Sequence, residues 1–305
     1  MSLFRRLSDA VGKIGRGRQA EGAPLNAFRP GETNAGQLGF VTTGLASHFT
    51  EACERLNVRP AGETQFGYGR RSAGAEVSDA SGNRLWLKVF GLTSADNERW
   101  KAEQASDALI GVRKPKLMQE VSWTHQGEIW VARLTQAAVG VLEDGPWADA
   151  RAHGVSDGWI ADLNQALEAL AKQRCRRAHI QPDLFKRWLR RHFRRELPDD
   201  FVASHNDLQW SNLASPELLI LDWEWFGLSP RGYDQGMLIA YSCGDEGLTA
   251  RLEQSFALIL AEETAHYGKL FAAHTVRNSI KNGWLNPALG APLTRLIKRW
   301  ESERR

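Results

Sequence analysis

Ser204-His205-Asn206-Asp207 is followed in the same short stretch by Asn212, and the apolar run Leu218 to Leu221 then ends at Asp222-Trp223-Glu224. The pattern is His-x-Asp, four further residues, Asn, and then an acid closing an apolar strand. Oxygen-bearing side chains dominate it, with no cysteine or histidine placed as a metal ligand. Transfer of a phosphoryl group needs such a set: a carboxylate beside the receiving hydroxyl, and oxygen ligands that hold Mg2+ against the phosphates of a nucleotide. Asp207 can supply the carboxylate. Asn212 can return from the same loop to face the metal, and Asp222 enters from the following hairpin as a second ligand. Glu224, two residues further along what reads as an extended segment, points the same way as Asp222 and adds charge for a second ion.

A lone His-x-Asp is more often structural, and a lone acid after an apolar strand is often a turn residue. Both together, in this order and at this spacing, point to catalysis. His205 itself reads as structural, because its position suits fixing the loop rather than moving a proton at the phosphate.

The stretch resembles the aminoglycoside phosphotransferase and choline kinase superfamily, whose catalytic loop and metal strand have this pattern. Asp222-Trp223-Glu224 and, downstream, Arg231-Gly232-Tyr233-Asp234 are similar to the metal and post-metal motifs there. Many aminoglycoside-kinase-like members have Gly after the histidine, where this chain has Asn206. His-Asn-Asp with Arg-Gly-Tyr-Asp resembles the choline and ethanolamine kinase variant more closely. The strong part of the match runs from Val202 to Tyr241. The resemblance implies an α+β, two-lobed protein-kinase-like fold, with a small antiparallel β-sheet N-lobe and a mainly helical C-lobe. It implies Mg2+ and ATP as cofactors, with GTP as the other candidate donor, and it makes Asp234 a brace for the catalytic loop from a helix start.

Such a fold also implies a strand lysine paired to a helix glutamate. Lys88 fits, because it lies inside the apolar run Leu85 to Phe90, where an ammonium needs a phosphate or carboxylate partner. A solvated lysine on an edge strand is the alternative. Glu103 is the favoured partner and Glu98 the reserve; on a helix the two differ by about 140°, so only one can face Lys88. Gly67-Tyr68-Gly69-Arg70-Arg71-Ser72-Ala73-Gly74 lies where a phosphate-covering loop belongs, although it is not the full G-x-G-x-x-G. Gly67 and Gly69 are its candidate nucleotide contacts. The link after Val131, through Ala132 and Leu134, is the expected hinge whose backbone meets the adenine.

The elements needed to position these residues can be read around them. A helix from about Ala46 to Leu56 precedes strands joined by tight turns, including Asp79 to Asn83 and His125-Gln126-Gly127. A helix spans roughly Ser94 to Leu109. Beyond Gly140 long helices take over, around Trp159 to Lys172, Asp183 to Glu196, Leu248 to Gly268 and Pro292 to Glu303. One apolar strand pair, near Phe201 and Leu218 to Trp223, interrupts them. The expected division is a basic amphipathic segment and linker over 1–44, a nucleotide-binding N-lobe over 45–135, and a helical catalytic and substrate-binding C-lobe over 136–305.

Composition narrows the function further. With 305 residues, 42% hydrophobic and 25% charged, the chain can fill a large domain or two lobes. A net charge of +3 is too small a surplus to imply a nucleic-acid partner. Cys53, Cys175 and Cys243 are widely separated, which fits a reducing, cytoplasmic setting. No run reaches the ~18 apolar residues of a membrane span. At the start, Leu3, Phe4, Leu7, Val11 and Ile14 recur at helical spacing amid Arg5, Arg6, Lys13, Arg16 and Arg18. This makes residues 1–18 a candidate peripheral contact with the inner face of a membrane, with a solvated or docked helix as the alternative.

The chain lacks the Asp-Phe-Gly and Ala-Pro-Glu signatures of a peptide-binding activation segment, so the expected acceptor is a small-molecule alcohol. Three classes stay open. The first is an antibiotic or sugar-like alcohol, drawn if cationic by Asp144, Asp149, Asp157 and Glu246. The second is choline or ethanolamine, with Trp225 or Trp284 cradling a quaternary ammonium. The third is a lipid-linked or lipopolysaccharide-type envelope sugar. A nucleotide-binding module without catalysis is the alternative of another kind; the presence of Lys88, Asp207, Asn212 and Asp222 together argues against it.

Overall fold

The computed structural model describes residues 40–41, 43–67, 71–142, 155–283 and 285–303. The basic N-terminal segment, Gly69, Asp144, Asp149 and Trp284 lie outside the described residues.

Strand β1 (Phe40–Val41) leads into α1 (Leu45–Leu56), whose Leu45, Phe49, Ala52, Cys53 and Leu56 form one buried stripe. Next come β2 (Arg59–Pro60), β3 (Gln65–Phe66), β4 (Ala73–Ser78), β5 (Arg84–Leu92), α2 (Glu98–Ser106), β6 (Leu117–His125) and β7 (Glu128–Gln136). The strands make one antiparallel sheet in the order β2-β4-β5-β7-β6, with β1 added on β5 and β3 on β4. Two-residue alternation sorts β5: Leu85, Leu87 and Val89 pack under α1, while Trp86, Lys88 and Phe90 line the cleft. Both tight turns have their expected chemistry. Asp79 Oδ1 accepts the N–H groups of Ser81 and Asn83, both at 2.9 Å, and Gly82 takes φ 81°. Gln126 and Gly127, at φ 50° and 83°, supply the left-handed pair that a twisted hairpin requires.

The remainder is mainly helical: α3 (Asp157–Ala171), α4 (Pro182–Phe193), α5 (Tyr233–Tyr241), α6 (Glu246–Ser255), α7 (Ala257–Leu260), α8 (Glu263–Lys281) and α9 (Gly290–Ser302). Between α4 and α5 run β8 (Phe201–Ser204), β9 (Leu213–Ala214), β10 (Leu219–Ile220) and β11 (Gly227–Pro230), with 3₁₀ turns at Trp210–Asn212 and Trp223–Trp225. Leu163, Trp188, Trp210, Leu238, Phe271 and Trp300 anchor a single core in this half. The architecture is the α+β, two-layered arrangement expected: an antiparallel sheet with its helix, then a helical mass.

Two expectations need correction. The strands near Phe201 and Leu219 do not pair with each other; β8 pairs with β11 and β10 with β9. The helix expected from Leu248 to Gly268 is three helices, broken near Phe256 and Glu262. Its apolar pattern continues through the first break because Phe256 itself is fully buried. Helix α5 escapes a periodicity search because nearly every residue, Tyr233 through Ala240, is buried, so no polar face marks it.

Candidate active site

The loop after β8 is held in an unusual backbone shape by side chains from far away. Asn206 sits at φ 72°, a region that favours glycine and tolerates asparagine. Its Nδ2 donates to the carbonyls of Ser204, Trp225 and Gly227 at 3.0, 3.2 and 3.1 Å. Asp234, in the first turn of α5, accepts the N–H of His205 at 2.7 Å and of Asn206 at 2.8 Å. His205 Nε2 lies 2.7 Å from the Leu221 carbonyl, and Nδ1 accepts the Asp207 N–H at 3.3 Å. Burial pushes the His205 pKa down against the pull of Asp234, so the ring stays neutral with its proton on Nε2.

Asp207 emerges from this frame into the cleft. Its Oδ2 accepts from Asn212 Nδ2 at 3.1 Å, and that amide also donates to the Asp207 carbonyl at 2.7 Å. The Asn212 amide nitrogen is thereby committed to Asp207, which leaves its oxygen as the end that could meet a metal. The Leu221 N–H donates to the Asn212 carbonyl at 2.8 Å, which brings Asp222 alongside the loop. Asp222 adopts φ 57°, and its Oδ1 accepts from Lys88 Nζ at 2.9 Å. Enclosure works to raise the Asp222 pKa, but the Lys88 ammonium outweighs it and the carboxyl is held below the usual range.

Lys88 also donates to Glu103, at 3.2 and 3.4 Å to the two carboxylate oxygens. Burial opposes its charge, but Asp222, Glu103 and Glu224 more than compensate, and the Lys88 pKa rises. Glu98, the reserve partner, faces elsewhere and pairs with Lys101 and Arg177, each at 3.3 Å. Glu103 is steadied from behind by Arg133, which is paired across strands with Lys88 and reaches Glu103 at 3.8 Å, Asp107 at 2.6 Å and Glu120 at 3.0 Å. The sequence reading missed Arg133; its signal is a charged residue at a fully buried strand position.

Glu224 departs from expectation. The segment that carries it is a 3₁₀ turn, so the two-residue alternation that set it beside Asp222 as a metal ligand does not apply. Its Oε1 is instead met by Arg99 at 3.2 Å and Arg71 at 3.4 Å. Burial and the Asp222 charge raise the Glu224 pKa, and the two guanidiniums work against them. Arg99 also stacks on the Trp225 ring, whose edge is met by His179 at 5.2 Å. Neither arginine stands out in the sequence, because each finds its partner more than a hundred residues away.

Lys88, Glu103, Asp207, Asn212, Asp222 and Glu224, with Arg71, Arg99, Arg133 and Trp225, line one cleft of about 690 Å³ between the sheet and the helical half. Gly67 lines it and donates its N–H to Ser72 at 3.0 Å, closing a turn, while Gly69 falls outside the described residues. The expected hinge is displaced. Ala132 is flanked by Val89 and Val121, and Leu134 by Leu87 and Gln119, so their backbones belong to the sheet on both sides and their side chains to the core. The chain leaves the sheet only after Gln136, and Thr135, Gln136, Ala137 and Ala138 are the cleft-lining residues there. Trp86, one strand period before Lys88, forms part of the roof of the cleft.

Among the described residues no group of three or more His, Cys, Asp or Glu side chains is arranged to hold a metal. One carboxylate, Asp222, and one amide oxygen, Asn212, remain. Mg2+ is commonly bound by one or two protein ligands together with nucleotide phosphates and waters, so the donor set fits a metal that arrives with its nucleotide.

No protein-family model matches the chain. No curated protein matches it either. Solved structures do. Amicoumacin kinase hAmiN, in complex with AMP-PNP, Ca2+ and Ami, is similar at TM-score 0.53 and 12% identity over 86% of this chain and 95% of that one. Aminoglycoside phosphotransferase APH(4)-Ia is similar at TM-score 0.52 and 11% identity over 85% of this chain and 99% of that one. A thermostable mutant of it, in ternary complex with AMP-PNP and hygromycin B, reaches TM-score 0.56 at 10% identity over 83% and 98%. At such identities the likeness concerns the fold, and the chain has the two-lobed kinase-like fold of these phosphotransferases.

Proposed function

We propose that this protein is a magnesium-dependent phosphotransferase that moves the γ-phosphoryl group of ATP to a hydroxyl of a small molecule. The observation that carries the reading is the convergence of Asp207, Asn212, Asp222 and the Lys88–Glu103 pair on one cleft. Glu103, backed by Arg133, orients Lys88 so that its ammonium can neutralise nucleotide phosphates in place of Asp222. Asn212 and Asp222 would hold the Mg2+, which would supply neutralisation of the phosphate charge. Asp207 aligns the acceptor hydroxyl and takes its proton as the oxygen attacks the phosphorus in line. His205, Asn206 and Asp234 fix the loop that presents Asp207. Trp86 faces the purine base from the roof, and the backbone of 136–138 meets its edge.

A small hydroxylated compound of the antibiotic or sugar type is the favoured acceptor, in keeping with neighbours such as the complex with hygromycin B. The choline alternative loses one support: the face of Trp225, the proposed ammonium cradle, is covered by Arg99. The free Cys53, Cys175 and Cys243 suit the cytoplasmic setting, and among the described residues no helix is long and apolar enough to cross a membrane.

The test is nucleotide consumption with Mg2+ and ATP against a panel of aminoglycosides, other hydroxylated antibiotics, sugars, choline and ethanolamine. Acceptor-stimulated turnover is expected to fall about 100- to 10,000-fold in Asp207→Ala while nucleotide binding persists. Turnover of that variant at the parent rate would refute the assignment of Asp207. Nucleotide binding without turnover on any acceptor would favour the binding-module alternative.

A further inference from the structure

From Lys172 to Arg195 the chain carries ten Lys or Arg residues and one acid, Asp183, while the whole molecule has a net charge of only +3. The rest of the protein is therefore acidic on balance, and much of the positive charge is gathered on this segment. Helix α4 lies within it. It buries Phe185, Trp188 and Leu189 and turns its basic residues outward. Arg187, Arg190, Arg191, Arg194 and Arg195 are all exposed. Acids from neighbouring segments answer part of this charge: Asp199 meets Lys186 at 2.9 Å, Glu196 meets Arg190 at 3.5 Å and Glu263 meets Arg195 at 3.7 Å. Arg187, Arg191 and Arg194 have no side-chain ion pair or hydrogen bond among the described residues.

Those three residues are spaced four and three apart, so they share one stripe of the helix surface. Favourable placement near the helix C-terminus accounts for cations in the last turn, but that effect fades within a turn and does not reach Arg187. Like charges at this spacing repel and weaken a helix. An external counter-charge would relieve the repulsion.

We propose that the exposed stripe of α4 docks the protein on an anionic phospholipid surface. A stripe of exposed basic residues without ion-pair partners among the described residues is what such a surface attracts. Single-stranded nucleic acid would want exposed rings on which bases stack, and Phe185 and Trp188 of α4 are turned into the core. The sequence start is a second, separate signal: Leu3, Phe4, Leu7, Val11 and Ile14 supply apolar groups among Arg5, Arg6, Lys13, Arg16 and Arg18. Stable peripheral anchoring generally takes two weak signals, and a polybasic patch is a common partner for an apolar one.

The full-length protein should co-sediment with vesicles of phosphatidylcholine containing phosphatidylglycerol, should ignore phosphatidylcholine alone, and should release as salt is raised. In the triple variant Arg187→Gln, Arg191→Gln, Arg194→Asn the partition coefficient should drop roughly 100-fold, with the thermal midpoint at or above that of the parent. Asparagine is chosen at 194 because that residue caps the helix at φ 54°. Removing equal charge from the sheet half, by Arg55→Gln, Arg59→Gln and Arg84→Gln, should leave vesicle binding at the parent level. Absence of binding to the anionic vesicles, or equal binding by the α4 variant, would overturn the proposal. So would a single-stranded RNA that displaces the vesicles and itself requires the three arginines.

Discussion

Asn206 concentrates several demands in one side chain. The backbone there is left-handed, which glycine enters without strain and most residues enter at a cost of about 1–2 kcal/mol. Its amide also joins three carbonyls from β8, the Trp223–Trp225 turn and β11. Asn206→Gly should keep the backbone shape and lose the three bonds, for a destabilisation of about 1–3 kcal/mol. Asn206→Ala should lose the bonds and add strain, so its urea midpoint should lie below that of the glycine variant. Equal midpoints would show that φ is not held where the structure has it. At this scale much of the site was legible in the sequence, because Asp207, Asn212 and Asp222 lie within one short stretch whose order is itself the signal. Lys88 was legible as a charge in an apolar strand, and helix geometry kept Glu98 and Glu103 as exclusive candidates. Arg133, a charge in an apolar strand like Lys88, was passed over; Arg71 and Arg99 were not legible. Their partners are set by how distant elements meet, and no local pattern encodes that.

The β4–β5 hairpin shows how one element pair shapes the end of the cleft proposed to take the nucleotide. Gly74 is opposite Lys88, and a Cβ placed on it would come within 2.7 Å of Trp86 Cζ2. The glycine is therefore the space into which the indole folds as it roofs the cleft. Gly74→Ala should force Trp86 from this position, with an overpacking cost of about 1–3 kcal/mol and weaker nucleotide binding. Thermal unfolding and nucleotide titration would check both; loss of stability with unchanged nucleotide affinity would remove Trp86 from the binding surface. Elements bounded by strong turn chemistry, such as the hairpins at Asp79–Asn83 and Gln126–Gly127, could be read ahead of the structure. The breaks in the 246–281 region could not, and helix α5 was expected only at its start, at Asp234, through the family resemblance, since full burial erases the polar face that marks a helix or its end. The displaced hinge has a related cause: strand β7 runs on past Ala132 because β5 and β6 pair with it up to Gln136 and Thr135.

Across the whole molecule, the sheet half and the helical half are joined over the cleft in part by charge. Lys88 reaches Asp222, Arg71 and Arg99 reach Glu224, and Arg177 on the helical side reaches Glu98. Glu224 is the densest of these joints, because one carboxylate oxygen serves a loop residue and a helix residue from the opposite half. Removing one partner of an enclosed ion pair costs more than the pair contributes, since the charges left behind are poorly solvated. Glu224→Gln keeps shape and an acceptor oxygen but removes the charge, and a loss of about 2–3 kcal/mol in stability is expected. The nucleotide-free variant should also open, giving a larger radius of gyration by small-angle scattering than the parent. Mn2+ affinity measured in the presence of a non-hydrolysable nucleotide should stay at the parent value, because Asn212 and Asp222 are intact. The opposite pair of results, parental stability and radius with weakened Mn2+ binding, would return Glu224 to the metal and take it away from the joint between the halves.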